Sequence, residues 1–101
     1  MNKRFREFVE EVVADEEIEY NENFELIMND IKSEAQNLNF KDNSKYLMVY
    51  YIDEQRESYH DIIKNEDDFY NQMQRLLTSF LFTVYVFDKD FNQIVYISSD
   101  Y

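Results

Sequence analysis

The feature that most limits what this chain can fold into is the absence of both glycine and proline from its 101 residues. Glycine adopts positive φ angles at little steric cost, and proline presets the first bend of many turns. The turns must therefore be made by Asn, Asp, Ser and Lys, and Asn and Asp tolerate positive φ best among the non-glycine residues. The same absence excludes glycine-rich phosphate loops, dinucleotide-binding fingerprints and the glycine-flanked serine turn of many hydrolases.

Length and composition predict a single domain over residues 1–101. Nine Phe and nine Tyr, within a hydrophobic fraction of 45%, are enough for one core and argue against disorder. Because there is no Cys, disulfides, thiolate zinc sites and cysteine nucleophiles are excluded. The N-terminus lacks the apolar core of a signal peptide, and no apolar run reaches membrane-spanning length. We therefore expect a cytoplasmic protein.

Three segments have the apolar periodicity of amphipathic helices. They span residues 2–14, roughly 23–38 and about 65–79. Asn21 or Asn23 is expected to cap the second helix, and the third begins at Asn65 with acids in its first turn, which suit the helix dipole. The side chains expected to face the core are Phe5, Phe8, Val9, Val12, Val13, Phe24, Ile27, Met28, Ile31, Ala35, Leu38, Phe69, Met73, Leu76 and Leu77.

The remaining apolar runs predict strands. "KYLMVYYID" (45–53) is expected to be a central strand, and its aromatic residues indicate sheet core more than a ligand pocket. Residues 55–64 are interpreted as a second strand, paired through a turn near 54–56, and "FLFTVYVFD" and "FNQIVYIS" form a hairpin around "DKDFN". The fold class is α+β, in the order α-α-β-(β)-α-β-β, with helices on one face of a three- or four-stranded antiparallel sheet. The last hairpin could present an edge strand for a homodimer, so monomer and homodimer both stay open.

Candidate catalytic and metal sites are weak. The only histidine, His60, has no nucleophile signature around any Ser and is interpreted as a surface or strand residue. "DKDFN" (88–92) copies the opening of a calcium loop, but Gln93 and Ser99 stand where that loop needs Gly and Glu. We expect a hairpin turn there, with no metal, no cofactor and no enzymatic activity.

The strongest functional signal is the net charge of -12, from 10 basic and 22 acidic residues. Such a surface repels nucleic-acid phosphates and anionic membranes, and attracts basic protein surfaces. Solubility alone needs a net charge magnitude of only about 2–8 in a small domain. Helical carboxylates three or four residues apart can occupy a groove built for phosphates, where Arg and Lys bind them. The candidate partner-binding residues are Glu10, Glu11, Asp15, Glu16, Glu17, Glu19, Glu22, Glu25, Asp53, Glu54, Glu57, Glu66, Asp67 and Asp68.

One stretch, "NEDDFYNQMQ" at 65–74, resembles the acidic helix start "EEEFYNDMQ" of small phage-encoded anti-CRISPR proteins. The resemblance covers about ten of the 101 residues. It implies a DNA mimic that occupies the PAM-reading site of Cas9. It also implies that Glu66, Asp67 and Asp68 contact the basic PAM-reading residues. By architecture alone, two acidic helices before an antiparallel sheet also look like the phage inhibitors of uracil-DNA glycosylase.

The leading hypothesis is therefore a non-enzymatic phage inhibitor that places carboxylates in the basic DNA-binding groove of a host nuclease, in the bacterial cytoplasm. Alternatives are an inhibitor of uracil-DNA glycosylase or of a restriction enzyme, and an immunity protein or antitoxin that neutralises a nuclease toxin. The bland interpretation, an acidic face that serves only solvation, stays open as well.

Overall fold

The computed structural model describes residues 3–14, 22–52, 57–79 and 81–100. The fold is α+β, as the sequence predicts. The strand expected within residues 55–64 is confirmed over Glu57–Ile63, as is the final hairpin, and the turn predicted near 54–56 lies outside the described residues. The elements, in chain order, are α1 (Lys3–Ala14), α2 (Phe24–Ala35), β1 (Tyr46–Ile52), β2 (Glu57–Ile63), α3 (Glu66–Leu76), β3 (Phe82–Phe87) and β4 (Gln93–Ser98).

The four strands form one antiparallel sheet in the order β2-β1-β3-β4. β1 is central, as its bulky residues predict, and Val49 lies opposite His60 on one side and Tyr85 on the other. The pairing of β3 with β4 shifts by one residue between Val86 and Phe87, which is a β-bulge near the hairpin loop.

The helices cover one face of this sheet. Along β1 and β3 the burial alternates, so that Met48, Tyr50, Val84 and Val86 are buried while their neighbours on the strand are more accessible. This alternation is typical of an antiparallel sheet with one face on the core and one free. We call the second surface the open face. Its residues on β1 and β3 are Leu47, Val49, Tyr51, Thr83, Tyr85 and Phe87.

α1 is attached to the core through a narrower stripe than the sequence suggests. Phe5, Phe8 and Val12 are buried, and Val9 is half-buried against them. The expectation that Val13 faces the core is wrong, since its side chain is 63% exposed. Each helical residue turns about 100° from the previous one, so the stripe at positions 5, 8 and 12 points Val13 away from the sheet.

α2 covers the outer edge of β4. The Glu34 carboxylate accepts the Tyr96 N–H at 3.3 Å, and the Asn37 amide donates to the Ile94 carbonyl oxygen at 3.1 Å. Asn23 stands at the N-cap position of α2, but its side chain accepts no hydrogen bond from the helix and donates instead to the carbonyl oxygen of Ser99 at 3.1 Å. Asn23 is therefore the N-cap residue of α2, as predicted, but without a side-chain bond to the helix, and Asn21 lies outside the described residues.

Helices α2 and α3 end earlier than their apolar patterns suggest. The N–H groups of Asn37 and Leu38 donate to carbonyls three residues back, so α2 tightens into a turn after Ala35. Leu38 remains buried in that turn, which explains why its spacing resembles a further helical position. α3 ends similarly, with Thr78 and Ser79 bonded to carbonyls three residues back.

Two turns use positive φ without glycine. Asn43 has a φ of 58°, as expected for this residue type, whereas Phe91 has a φ of 62° and a side chain that is 75% exposed. The 88–92 segment is a hairpin turn, as predicted. One carboxylate oxygen of Asp88 accepts the N–H groups of Asp90 and Asn92 at 2.8 and 2.9 Å. These bonds, led by the one from Asn92, lower the pKa of the Asp88 carboxyl below its usual value and hold Phe91 in place.

Candidate functional site

Among the described residues, the helical layer carries most of the carboxylates proposed to bind a partner. Glu10 and Glu11 are exposed on α1, Glu22 and Glu25 are exposed at the start of α2, and Asp67 is exposed on α3. The remaining described members, Glu57, Glu66 and Asp68, are considered below. Six candidates lie outside the described residues: Asp15, Glu16, Glu17, Glu19, Asp53 and Glu54.

Arg4 joins acids of α1 to an acid of α3, although the two helices are far apart in the sequence. Its guanidinium pairs with Glu7 at 3.5 Å and Glu11 at 3.6 Å on α1, and with Asp67 on α3. The Arg4 side chain is only 18% exposed, and its guanidinium lies 5.7 Å from the centre of the Tyr70 ring. One cation therefore holds three carboxylates from two helices in one place, and the group keeps a net charge of -2 (+1 from Arg4 and -3 from the acids).

Replacement of Arg4 by Ala should destabilise the fold by about 1–2 kcal/mol, because the acids of α1 and α3 are then left facing each other. Chemical unfolding at 50 mM and 500 mM NaCl measures the effect. Salt should recover much of the lost stability, since it screens repulsion between carboxylates that are half-exposed. Arg6→Ala is the matched control, because Arg6 is exposed on the same helix. Equal losses in the two variants would contradict this role for Arg4.

The acidic start of α3 has a clear local role in the helix. The Asn65 side chain accepts the N–H of Asp68 at 2.9 Å, so the predicted N-cap is confirmed. The Asp68 carboxylate in turn accepts the N–H of Lys64 at 2.9 Å. Two backbone donors at the helix start are thereby satisfied. Asp68 is half-buried in this arrangement, which leaves Asp67 as the more accessible of the two carboxylates.

Glu66 lies half-buried above Tyr70, whose ring is fully packed against Phe8 at a centroid distance of 5.0 Å. The Tyr70 hydroxyl has no hydrogen-bond partner among the described residues. Burial, and secondarily the negative charge of Glu66, raise the pKa of Tyr70 to about 12. The phenol therefore stays neutral in the folded protein at pH values where an unfolded tyrosine ionises.

This shift predicts an alkaline loss of stability. Unfolded Tyr70 releases its proton near pH 10 and the folded residue near pH 12, so the free energy of unfolding should fall by about 1 kcal/mol as pH rises between these values. Tyr70→Phe should remove this fall and leave stability near pH 7 equal or slightly higher, because a buried hydroxyl without a partner is lost. Urea unfolding at pH 9 and pH 11.5 tests both points. Tyr96→Phe, at an exposed position, is the control; an undiminished alkaline fall in Tyr70→Phe would refute the assignment.

Glu57 belongs to a different region, on β2. Its carboxylate accepts the Tyr59 hydroxyl at 2.9 Å, and the Tyr59 ring stacks on Tyr50 with centroids 5.4 Å apart. The Tyr50 hydroxyl donates to Asp61 at 3.2 Å, and burial followed by this carboxylate raises the pKa of Tyr50. A groove of about 430 Å³ opens beside Tyr50. Its lining combines the apolar Ile52 and Leu76 with polar residues of α3 and the turn after it, among them the cation Arg75. Glu57 is bonded within β2, whereas the acids paired with Arg4 lie on α1 and α3.

A second groove lies between α1 and α2, with a volume of about 390 Å³. Phe5, Val9, Phe24 and Met28 form its apolar lining, and the polar lining residues are Glu25, Asn29 and Lys32 of α2. Among the described acids, Glu25 is the one that borders this groove. A basic side chain bound there could place its charged group on a carboxylate and its methylene stem on apolar surface.

Arg4 and Glu7 are the site residues that sequence reasoning missed. The spacing of Arg4, Glu7 and Glu11 puts all three near one face of α1, and this signal could have been found. Across the described ranges, no group of three or more His, Asp or Glu side chains is arranged to hold a metal ion. None of the helices in those ranges has the length and apolar character needed to cross a membrane.

Comparison with models of protein families, with curated proteins and with solved structures found no match to this chain.

Proposed function

We propose that this protein is a non-enzymatic inhibitor that acts as a DNA mimic in the basic DNA-binding groove of a host nuclease. One observation carries the proposal: carboxylates stand exposed on helices whose apolar residues fix them to the core. Phe5, Phe8 and Val12 are buried under α1, while Glu7, Glu10 and Glu11 on the same helix are exposed. Anchored acids can present charge at a fixed spacing, which mimicry requires and solubility does not.

The spacing agrees with this role. Side chains three or four residues apart on a helix have Cβ atoms roughly 5–6 Å apart, which is comparable to the separation of successive phosphates on a nucleic-acid strand. Arg4 supports the arrangement because it holds Glu7, Glu11 and Asp67 together and leaves two uncompensated charges for a partner. Guanidinium and ammonium groups of a DNA-binding groove would bind such carboxylates through charge-assisted hydrogen bonds.

The target we favour is Cas9 in the cytoplasm of a phage-infected bacterium, in keeping with the resemblance of residues 65–74 to anti-CRISPR proteins. Asp67 is the most accessible acid of that segment in the structure. Inhibition of uracil-DNA glycosylase or of a restriction enzyme, and neutralisation of a nuclease toxin, would use the same surface and are the runner-up functions.

The experiment is binding of the purified protein to a Cas9–guide complex at 50 mM NaCl, in competition with a duplex that contains a PAM. A matched duplex without a PAM is the control. We expect the PAM duplex to displace the protein, and binding to weaken steeply with salt. No binding at 50 mM NaCl would eliminate Cas9 as the target. Capture from a bacterial lysate at low and high salt would then distinguish the runner-up enzymes from a surface without a target.

A further inference from the structure

We propose that the open face of the sheet is a self-association surface that pairs two copies of this chain. Six large hydrophobic side chains are exposed in the described part of the chain, and three of them, Tyr51, Ile62 and Tyr96, lie on this face. Their register places them there: Ile62 pairs with Leu47, and Tyr96 pairs with Tyr85. Apolar residues gathered on one surface mark an interaction site, whereas scattered ones do not.

The centre of the open face is an aromatic cluster built around Tyr85. Its ring centre lies 5.3 Å from that of Tyr96, 6.3 Å from Tyr51 and 6.4 Å from Phe87. These rings come from three strands and cover one another only in part, since Tyr51 and Tyr96 remain exposed. Tyrosine-rich clusters provide a large apolar area with hydroxyl groups for the rim of an interface.

The lack of acidic residues on the open face indicates which partner can bind there. The polar strand residues of the open face are Ser58, His60, Thr83, Gln93 and Ser98, and none of its described strand positions is Asp or Glu. A basic partner would find no carboxylate there, and nucleic acid would be repelled by the net charge of -12. The open face is therefore a place where two such acidic chains can meet without placing like charges opposite each other. An interface between two copies is also self-complementary under two-fold symmetry.

The size of the face fits a weak dimer. Strands of six or seven residues are about 20–23 Å long, and four strands at about 4.8 Å spacing add a width of roughly 19 Å. The molecule measures 37 × 33 × 19 Å, so the sheet occupies part of one broad side. Stable interfaces bury about 800 Å² per partner. Two sheets stacked about 10 Å apart would fall below that value unless flanking residues contributed, so we expect a weak dimer.

Edge-to-edge pairing through β4 is a poorer route to the same dimer. The outer backbone of β4 is bonded to Glu34 and Asn37, and the carbonyl of Ser99, just after the strand, is bonded to Asn23. A second chain could add a strand there only by displacing these side chains. Face-to-face packing leaves all three bonds intact.

Sedimentation equilibrium from about 5 to 500 µM protein, at 50 and 500 mM NaCl, tests the proposal. We expect the dimer fraction to rise with protein concentration and with salt, because salt screens the repulsion between two chains of charge -12. This salt response is opposite in sign to that of target binding. Ile62→Glu on the edge strand should shift the midpoint at least tenfold, and Tyr51→Glu on the central strand is a second variant in case the first fails to fold.

Val13→Glu is the matched control, since it adds the same charge at an exposed position on α1, on the other side of the sheet. Apart from the effect of one added negative charge, its dimerisation midpoint should equal that of the parent chain. A parent chain that stays monomeric at 500 µM and 500 mM NaCl would overturn the proposal. The proposal would also fail if Ile62→Glu weakened the affinity of the monomeric chain for a nuclease target. That result would mean that the open face binds the target and not a second copy of the chain.

Discussion

Exchanging Glu10 and Glu25 for lysine should weaken binding to the target nuclease about 100-fold at low salt. Both side chains are exposed, Glu25 lines the groove between α1 and α2, and neither belongs to the Arg4 ion pairs described above. Replacing an attractive contact by a repulsive one at two positions is worth about 2–3 kcal/mol, which corresponds to roughly 30- to 150-fold in affinity. The variant should remain folded, since a lysine in the first turn of α2 costs only about 0.3–1 kcal/mol.

The matched control is Asp42→Lys with Asp90→Lys, in two exposed turns far from the helix starts in sequence. Each pair adds four positive charges, so both variants have a net charge of -8 (-12 + 4). Binding is measured by titration at 50, 150 and 300 mM NaCl. If the binding surface is specific to this location, the Glu10 and Glu25 variant should lose much more affinity for the target than the control variant. Equal losses would mean that only net charge matters, and no loss in either would mean a solvated face without a target.

Phe8→Ala should cost about 3–5 kcal/mol of the free energy of unfolding, the usual range for removing a buried phenylalanine. The Phe8 side chain is 1% exposed, stacks on Tyr70 of α3 and lies 6.2 Å from Phe5. Since a domain of this size has about 5–15 kcal/mol in total, the loss should be visible as a large fall in the urea midpoint.

The control for this prediction is Val13→Ala on the same helix, which should change stability by less than about 0.5 kcal/mol because the side chain is exposed. The variant also tests the anchoring argument. At a temperature where Phe8→Ala is still folded, looser attachment of α1 should reduce target affinity more than a substitution at the far edge of the sheet does. A destabilisation below 1 kcal/mol would show that α1 is not held to α3 by this ring.

Much of the fold follows from local patterns. The alternation of β-branched and aromatic residues in 46–52 and 82–87 predicts two strands, and the Asn65 cap with its acidic first turn predicts the start of α3. Position 13 could not be assigned by pattern alone, because three valines in five residues fit more than one stripe. The helix ends were also overestimated, since turns that follow a helix can keep its apolar spacing.

The candidate site was less accessible to prediction. The acids themselves are evident in the sequence, but the ion pair between Arg4 and Asp67 joins residues 63 positions apart and depends on how α1 packs beside α3. Asn23 has the residue type and position of a helix cap, yet its side chain reaches Ser99, a partner 76 residues away. Contacts of this kind are determined by tertiary packing, for which neither periodicity nor propensity carries a signal.

The bonds between α2 and β4 also set the order in which the chain can be completed. Asn23, Glu34 and Asn37 find their partners 76, 62 and 57 residues later in the sequence. During synthesis, α2 therefore cannot make these contacts until nearly the whole chain has left the ribosome. Closing such distant contacts late favours slow folding. It also leaves β3 without a neighbour on one side until the last strand arrives, so incomplete chains should be the form most exposed to chaperones and proteases.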